Sequence, residues 1–141
     1  SLLSALGADF RPYEHADTIE AETFEPEEGL ANFHRVDNRI HMGSNGFIKR
    51  GVRIETPGRY RIGIRARGTS VDGIFPIVAV LFDNAELGRI ECVGEEWRTH
   101  TIDAALPHGE AVLRVAFTND LYRPPEDRNL QIDCITFQRV Q

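Results

Sequence analysis

Lysine is almost missing from this chain: Lys49 stands alone against fifteen arginines. Cysteine is nearly as scarce, and Cys92 and Cys134 cannot by themselves make a disulfide framework or a zinc site. We read them as buried free thiols, with a bridge open to them if the fold makes them neighbours. The four serines, Ser1, Ser4, Ser44 and Ser70, include none in a Gly-x-Ser-x-Gly turn, which argues against a serine hydrolase. The five histidines, His15, His34, His41, His100 and His108, lack zinc-ligand spacing. Paired acids of the glycosidase kind stay open, because sequence does not show which carboxylates meet. No run approaches the roughly 20 apolar residues of a membrane helix, so no membrane insertion is expected. A net charge of −6 argues against nucleic acid as a partner, since phosphate neutralisation needs a basic surface. The opening stretch SLLSALGADFRPYEH lacks a basic region before a long apolar core, so no signal peptide is read there, and the expectation is a domain cut from a longer chain.

What is present is β-patterned. The 141 residues, 41% of them hydrophobic, suffice for one domain with its own core. Residues 1–17 differ from the rest: Leu2, Leu3, Ala5 and Leu6 could make a helical turn before Gly7, and the segment is expected to be a linker or the tail of a preceding domain, with a β-sandwich over 18–141. The clearest strand follows Pro57-Gly58. Tyr60, Ile62, Ile64 and Ala66 alternate with Arg59, Arg61, Arg65 and Arg67, the period of two of a strand with one buried and one wet face. Further strands are expected over Thr18–Phe24, Arg39–Met42, Phe47–Val52, Ile77–Phe82, Leu87–Cys92, Trp97–Ile102, Ala111–Phe117 and Leu130–Phe137, with a turn at Asp83-Asn84. Many short strands, Gly, Pro and Asn turns, and no convincing amphipathic helix imply an all-β, antiparallel β-sandwich.

The segment from Phe117 to Asp133 carries the most chemistry. It places six Asp, Glu and Asn residues around a loop stiffened by Pro124-Pro125, between two strands. Carboxylate and amide oxygens on a loop held at both ends suit a hard cation such as Ca²⁺. Arg123 and Arg128 cannot neutralise every acid there, so net negative charge is expected.

The wording FTND, a variable loop, DRNL and a closing Ile-Asp-x-Ile resembles the calcium-dependent xylan-binding carbohydrate-binding modules, within the wider family-six-like group of carbohydrate-binding sandwiches. Ile19-Glu20-Ala21-Glu22, Pro57-Gly58-Arg59-Tyr60, Trp97-x-x-His100-Thr101 and Pro107-His108-Gly109 are similar to that group too, so the resemblance spans about Ile19 to Phe137. It implies a jelly-roll-like, galactose-binding-like fold without catalytic residues. It also implies a loop Ca²⁺ at Asp120 and Asp127, with Asn119 and Asn129 nearby, that contacts sugar hydroxyls. A structural Ca²⁺ is implied at Glu20, Glu22 and Asp133, with carbonyls near Asn38 and Arg39. Independently of the resemblance, Glu20 and Glu22 lie two apart, so on a strand both would leave the same face. Tyr122-Arg123-Pro124-Pro125-Glu126 departs from the small, glycine-rich linker such a loop would carry, and Lys49 and Arg50 follow Phe47-Ile48 where the group often has an aromatic.

Sugar rings stack on aromatic faces. Tyr122, inside the acidic loop, is the first candidate, followed by Trp97, equally a core residue, and Phe75 in a turn. The arginine stripe reads as a wet strand face, with a dock for uronate or sulfated glycans as the sharper alternative. The expected partners are a polysaccharide or oligosaccharide and other domains of an extracellular parent chain. A docking domain that keeps only the structural Ca²⁺, and a fragment of a polysaccharide-degrading enzyme, are the alternatives.

Overall fold

The computed structural model describes residues 17–140, and the tail expected before Asp17 lies outside them. Thirteen strands occur among the described residues: β1 Asp17–Glu20, β2 Glu25–Pro26, β3 Phe33–Val36, β4 Arg39–Met42, β5 Gly46–Ile54, β6 Gly58–Gly68, β7 Ile77–Phe82, β8 Ala85–Glu91, β9 Arg98–Leu106, β10 Gly109–Phe117, β11 Tyr122–Arg123, β12 Glu126–Asp127 and β13 Leu130–Arg139. One sheet runs β3-β4-β13-β6-β9, with β1 also paired to β13; the other runs β2-β5-β10-β7-β8. All these pairings are antiparallel. The expected β-sandwich is thereby found.

The alternation of β6 is the reason the two sheets close. Tyr60, Ile62, Ile64 and Ala66 are fully buried and meet Val78, Val80, Val115 and Phe117 from the opposite sheet in one core. Phe82 and Phe137 touch across it at 6.3 Å between ring centroids. Each such side chain contributes about 1.5–3 kcal/mol of transfer free energy. Cys92 and Cys134 are buried and unpaired. Burial pushes the Cys92 thiol up to about 12, so it packs as a small apolar group.

Three expectations change. Asp17, expected in the tail, opens β1 opposite Phe137. The strand expected over Thr18–Phe24 stops at Glu20, because Ala21–Thr23 curl into a 3₁₀ turn closed by Phe24 N–H to the Ala21 carbonyl at 3.0 Å. Glu20 and Glu22 therefore do not share a strand face. Finally, β3 was not foreseen, since only Phe33 and Val36 in it are apolar.

Both ends of the described chain, β1 at Asp17 and β13 at Arg139, lie at one end of the sandwich. Segments 43–45, 69–76, 92–97 and 118–129 gather at the other. Gly68 makes that gathering possible: a Cβ there would sit 2.6 Å from the Asn129 carbonyl oxygen and 2.7 Å from the Pro76 ring. Gly68→Ala should therefore destabilise the domain by about 1–3 kcal/mol, the cost of overpacking, read by urea denaturation. An unchanged midpoint would show that these segments yield freely.

Candidate functional site

The loop end is built around Arg128, which is 6% exposed although its side chain is charged. Its Nε donates to the Ile74 carbonyl at 2.8 Å, Nη2 to the Val71 carbonyl at 2.9 Å, and Nη1 to the Asn119 carbonyl. Its backbone N–H reaches the Leu121 carbonyl at 2.9 Å. The planar guanidinium thus satisfies carbonyls from two loops at once. Sequence reasoning had counted Arg128 as a counter-ion for the loop acids; the structure makes it a brace. Arg123, its supposed fellow, pairs with Asp72 on the neighbouring loop.

Asn119, a candidate ligand, is also a brace. Its Oδ1 accepts from Ile77 N–H at 2.7 Å and its Nδ2 donates to the Phe75 carbonyl at 3.1 Å. Phe75 N–H in turn donates to Glu91 Oε2 at 3.0 Å, and Phe75 is half-buried in this loop.

Asp120 is different. Its Oδ1 is buried without a hydrogen-bond donor, while its backbone N–H donates to Asn45 Oδ1 at 2.7 Å. Burial and the neighbouring Asp127 carboxylate push its pKa up, against the Leu121 N–H and Arg128. Asp127 sits across a two-residue ladder from Tyr122, and its carbonyl accepts from Thr69 Oγ1 at 2.6 Å. Asn129 Nδ2 donates to Asp127 Oδ2 at 3.2 Å. A Cβ on Gly43 would lie 3.3 Å from Asn129 Oδ1 and 3.6 Å from His41 Nε2, so these groups crowd one hollow. Gly43, Asn45, Thr69 and His41 were missed by sequence reasoning, because strand pairing and loop contacts bring them here from separate segments.

The second acidic cluster is drawn together by the pairing of β1 with β13, which sets Glu20 opposite Cys134. The Glu20 pKa is raised by burial and by the Glu22 and Asp133 carboxylates. The Cys134 thiol is pushed up to about 11, by burial first and then by Asp133 and Glu20. Glu22 Oε1 is buried with no partner, and only Asp133 is relieved, by Arg65 at 3.1 Å. A register shift between Ile132 and Cys134 turns Asp133 out of the strand to meet it. Arg35 fixes the turn by donating to the carbonyls of Glu22 and Phe24. Arg39 comes next to Ile40, which faces Ile132 on β13, and its guanidinium lies 3.8 Å from Asp37.

Both clusters pass a chemical test for a hard cation: each holds mutually repelling carboxylates with one buried oxygen that lacks a donor. Among the described residues no three His, Cys, Asp or Glu side chains are set to hold a metal by themselves. A cation here would draw on amide, carbonyl and water oxygens as well, the habit of Ca²⁺ rather than of zinc.

The aromatics separate. Tyr122 is 68% exposed on the loop. Trp97 is not core: it stands half-exposed on the outer sheet face with the Arg67 guanidinium over its ring at 4.6 Å. The arginine stripe is the wet face expected, and most of it is engaged. Arg61 pairs with Asp103, Arg65 with Asp133, and Arg67 Nε with Gln131 Oε1 at 2.8 Å.

Solved structures of carbohydrate-binding sandwiches superpose on this fold. The CBM36-1 domain of a multidomain xylanase from the hindgut metagenome of Trinervitermes trinervoides matches with a TM-score of 0.73 at 12% identity, over 90% of this chain and 99% of that one. A CBM36 in complex with calcium and xylotriose matches at 0.68 and 13%, over 86% and 98%. The C-terminal CBM6 of the LamC laminarinase from Zobellia galactanivorans matches at 0.68 and 14%, over 87% and 98%. At such identities the likeness speaks to the fold alone, an antiparallel β-sandwich. No curated protein sequence matches it. Residues 61–141 match the family CBM60, Ca-dependent carbohydrate-binding module xylan-binding, and the chain belongs to that family. It is a carbohydrate-binding domain.

Two outcomes test the site as built. Arg128→Lys should cost roughly 3 kcal/mol in denaturant, since two or more charge-assisted hydrogen bonds to buried carbonyls are lost. A loss near zero would mean that the loops hold without it. Asp120→Asn should raise the melting temperature of chelator-treated protein at pH 7, because it removes a buried charge facing Asp127; a fall would show that the carboxylate is satisfied.

Proposed function

We propose that this domain is a non-catalytic module that binds xylan-type polysaccharide through calcium at its loop end, within a longer extracellular protein. The observation that carries the reading is the buried, donor-less Oδ1 of Asp120 facing Asp127, in a loop whose neighbouring polar groups are braced. Asp120, Asp127 and the Asn129 amide oxygen would hold the loop cation, and Glu20, Glu22 and Asp133 the structural one. When bound, Ca²⁺ supplies open coordination positions for adjacent sugar hydroxyls. Tyr122 offers its ring to a pyranose face beside the loop, and Arg128 keeps the carboxylates in place without touching sugar. Carboxylates committed to a cation are not free to exchange protons with a glycosidic oxygen, which supports a binding rather than a catalytic role.

Exchange of two waters for two hydroxyls is a modest gain, so dissociation constants of about 10 µM to 1 mM are expected. Affinity electrophoresis in xylan with Ca²⁺ should retard the protein, and EDTA, Asp120→Ala or Asp127→Ala should release it with the fold intact. Tyr122→Ala should weaken binding by roughly 1 kcal/mol. Retardation that survives both EDTA and the double substitution would refute the reading.

Calcium should also raise the melting temperature by mass action, and Glu22→Gln should remove the structural share of that rise. The sign with pH follows from the carboxyls of Asp120 and Glu20, both held above their ordinary values. Their folded forms bind protons more tightly than the unfolded chain, so the metal-free fold is favoured below the unfolded pKa and loses that margin as pH rises through the folded values. The calcium-induced rise should be largest near pH 7 and shrink as pH is lowered through the raised pKa values. A rise that grows on acidification would exclude these carboxylates as the ligands.

A further inference from the structure

A pocket of about 260 Å³ opens on the outer face of the sheet beside Asp127, lined by His41, Arg67, Thr69, Glu95, Asn129 and Gln131, with Gly68 at its base. Register explains its shape. His41 on β4 lies opposite Gln131 on β13, and Gln131 lies opposite Arg67 on β6, so the three side chains form one row across neighbouring strands. Strands spaced by about 4.8 Å make that row roughly 10 Å long, comparable to a disaccharide. The row adjoins the loop site along the strand direction, since Asn129 and Thr69, two residues from Gln131 and Arg67 respectively, line the pocket while bonding Asp127.

The chemistry of the row is mixed and fixed. Arg67 is held by the face of Trp97 at 4.6 Å and by Gln131 Oε1 at 2.8 Å through Nε, which leaves its terminal N–H groups to the pocket. The Gln131 amide nitrogen and the His41 ring add further hydrogen-bonding groups, and Glu95 supplies an exposed acceptor. Donors and acceptors side by side on a half-buried floor match the hydroxyls of a sugar, each of which both gives and takes a hydrogen bond. Glu95 lines the same pocket as Arg67, so the lining carries one cation and one carboxylate and no surplus positive charge is left for an acidic group.

We propose that this pocket is a second sugar subsite, taking the uncharged pyranose next to the one at the Asp120/Asp127 loop in the same glycan chain. The inference rests on the loop reading above and adds what that reading leaves open: the path of the glycan from the loop onto the outer face of β4, β13 and β6, and a preference for undecorated residues at that position. The side-chain amide of Gln131 and the Nε of Arg67 are its reporters.

The test is titration of the ¹⁵N-labelled full chain with xylotriose, in Ca²⁺ and in EDTA, alongside calorimetry of the wild type, Gln131→Ala and Arg67→Leu. The proposal expects the Gln131 amide and Arg67 Nε signals to shift on sugar binding. Each substitution should lower trisaccharide affinity about 10-fold while calcium affinity, followed by terbium displacement, is unchanged. Binding that depends on calcium but leaves both signals and both affinities unmoved overturns the subsite and spares the loop. Binding that moves the row yet persists in EDTA overturns the loop and spares the subsite. Absence of any binding in Ca²⁺ overturns both. A glucuronate-branched xylo-oligosaccharide that binds more tightly than the neutral one, in an Arg67-dependent and salt-sensitive way, overturns the preference for an uncharged ring.

Discussion

One buried guanidinium organises the functional end of this domain. Arg128 is charged and 6% exposed, and every nitrogen of its side chain is spent on a backbone carbonyl. Loops leave carbonyls without ladder partners, and a buried carbonyl without a donor costs free energy comparable to a lost hydrogen bond. Arg128 removes that cost for Val71, Ile74 and Asn119 together. The tie makes the 118–129 loop rigid enough to present Asp120 and Asp127 to one place despite their separation in sequence. Asn119 completes the bracing from the other side through Ile77 and Phe75.

Against that rigid frame the acids are deliberately under-satisfied. A buried carboxylate oxygen normally has a donor, yet Asp120 Oδ1 and Glu22 Oε1 have none. Each also faces another carboxylate, and the pKa values of Asp120 and Glu20 rise accordingly. A cation bound there would convert this repulsion into attraction, so residues that weaken the metal-free domain would strengthen a loaded one. The family's calcium dependence fits that arrangement.

The fold was open to reading from the sequence because its signal is local. The alternation of Tyr60, Ile62, Ile64 and Ala66 with arginines is a statement about two faces of one strand, and the structure keeps it. The solid apolar run of Ile77–Phe82 proved to be an inner strand, paired on both sides. Boundaries failed where a turn competes with a strand. Thr18–Phe24 looks continuous, but Ala21 turns into the core and Thr23 Oγ1 caps the Glu20 carbonyl at 2.6 Å. The weakly apolar β3 carries no such pattern and could not be seen.

Composition and periodicity by themselves determined that this chain is a β-sandwich with an acidic, proline-stiffened loop before its last strand, because hydrophobic alternation and clustered carboxylates are properties of adjacent residues. Only the tertiary structure decided which of those polar groups are free. Asn119 and Arg128, both plausible participants in the sequence, turn inward as braces, while one carboxylate oxygen of Asp120 is left without a donor. Trp97 could equally have been core until the segment leading into β9 placed it outside, under Arg67. His41, Gln131 and Arg67 are strangers in sequence, and strand register alone makes them neighbours. Hydrogen-bond satisfaction depends on which segments meet in space, and no linear pattern records that.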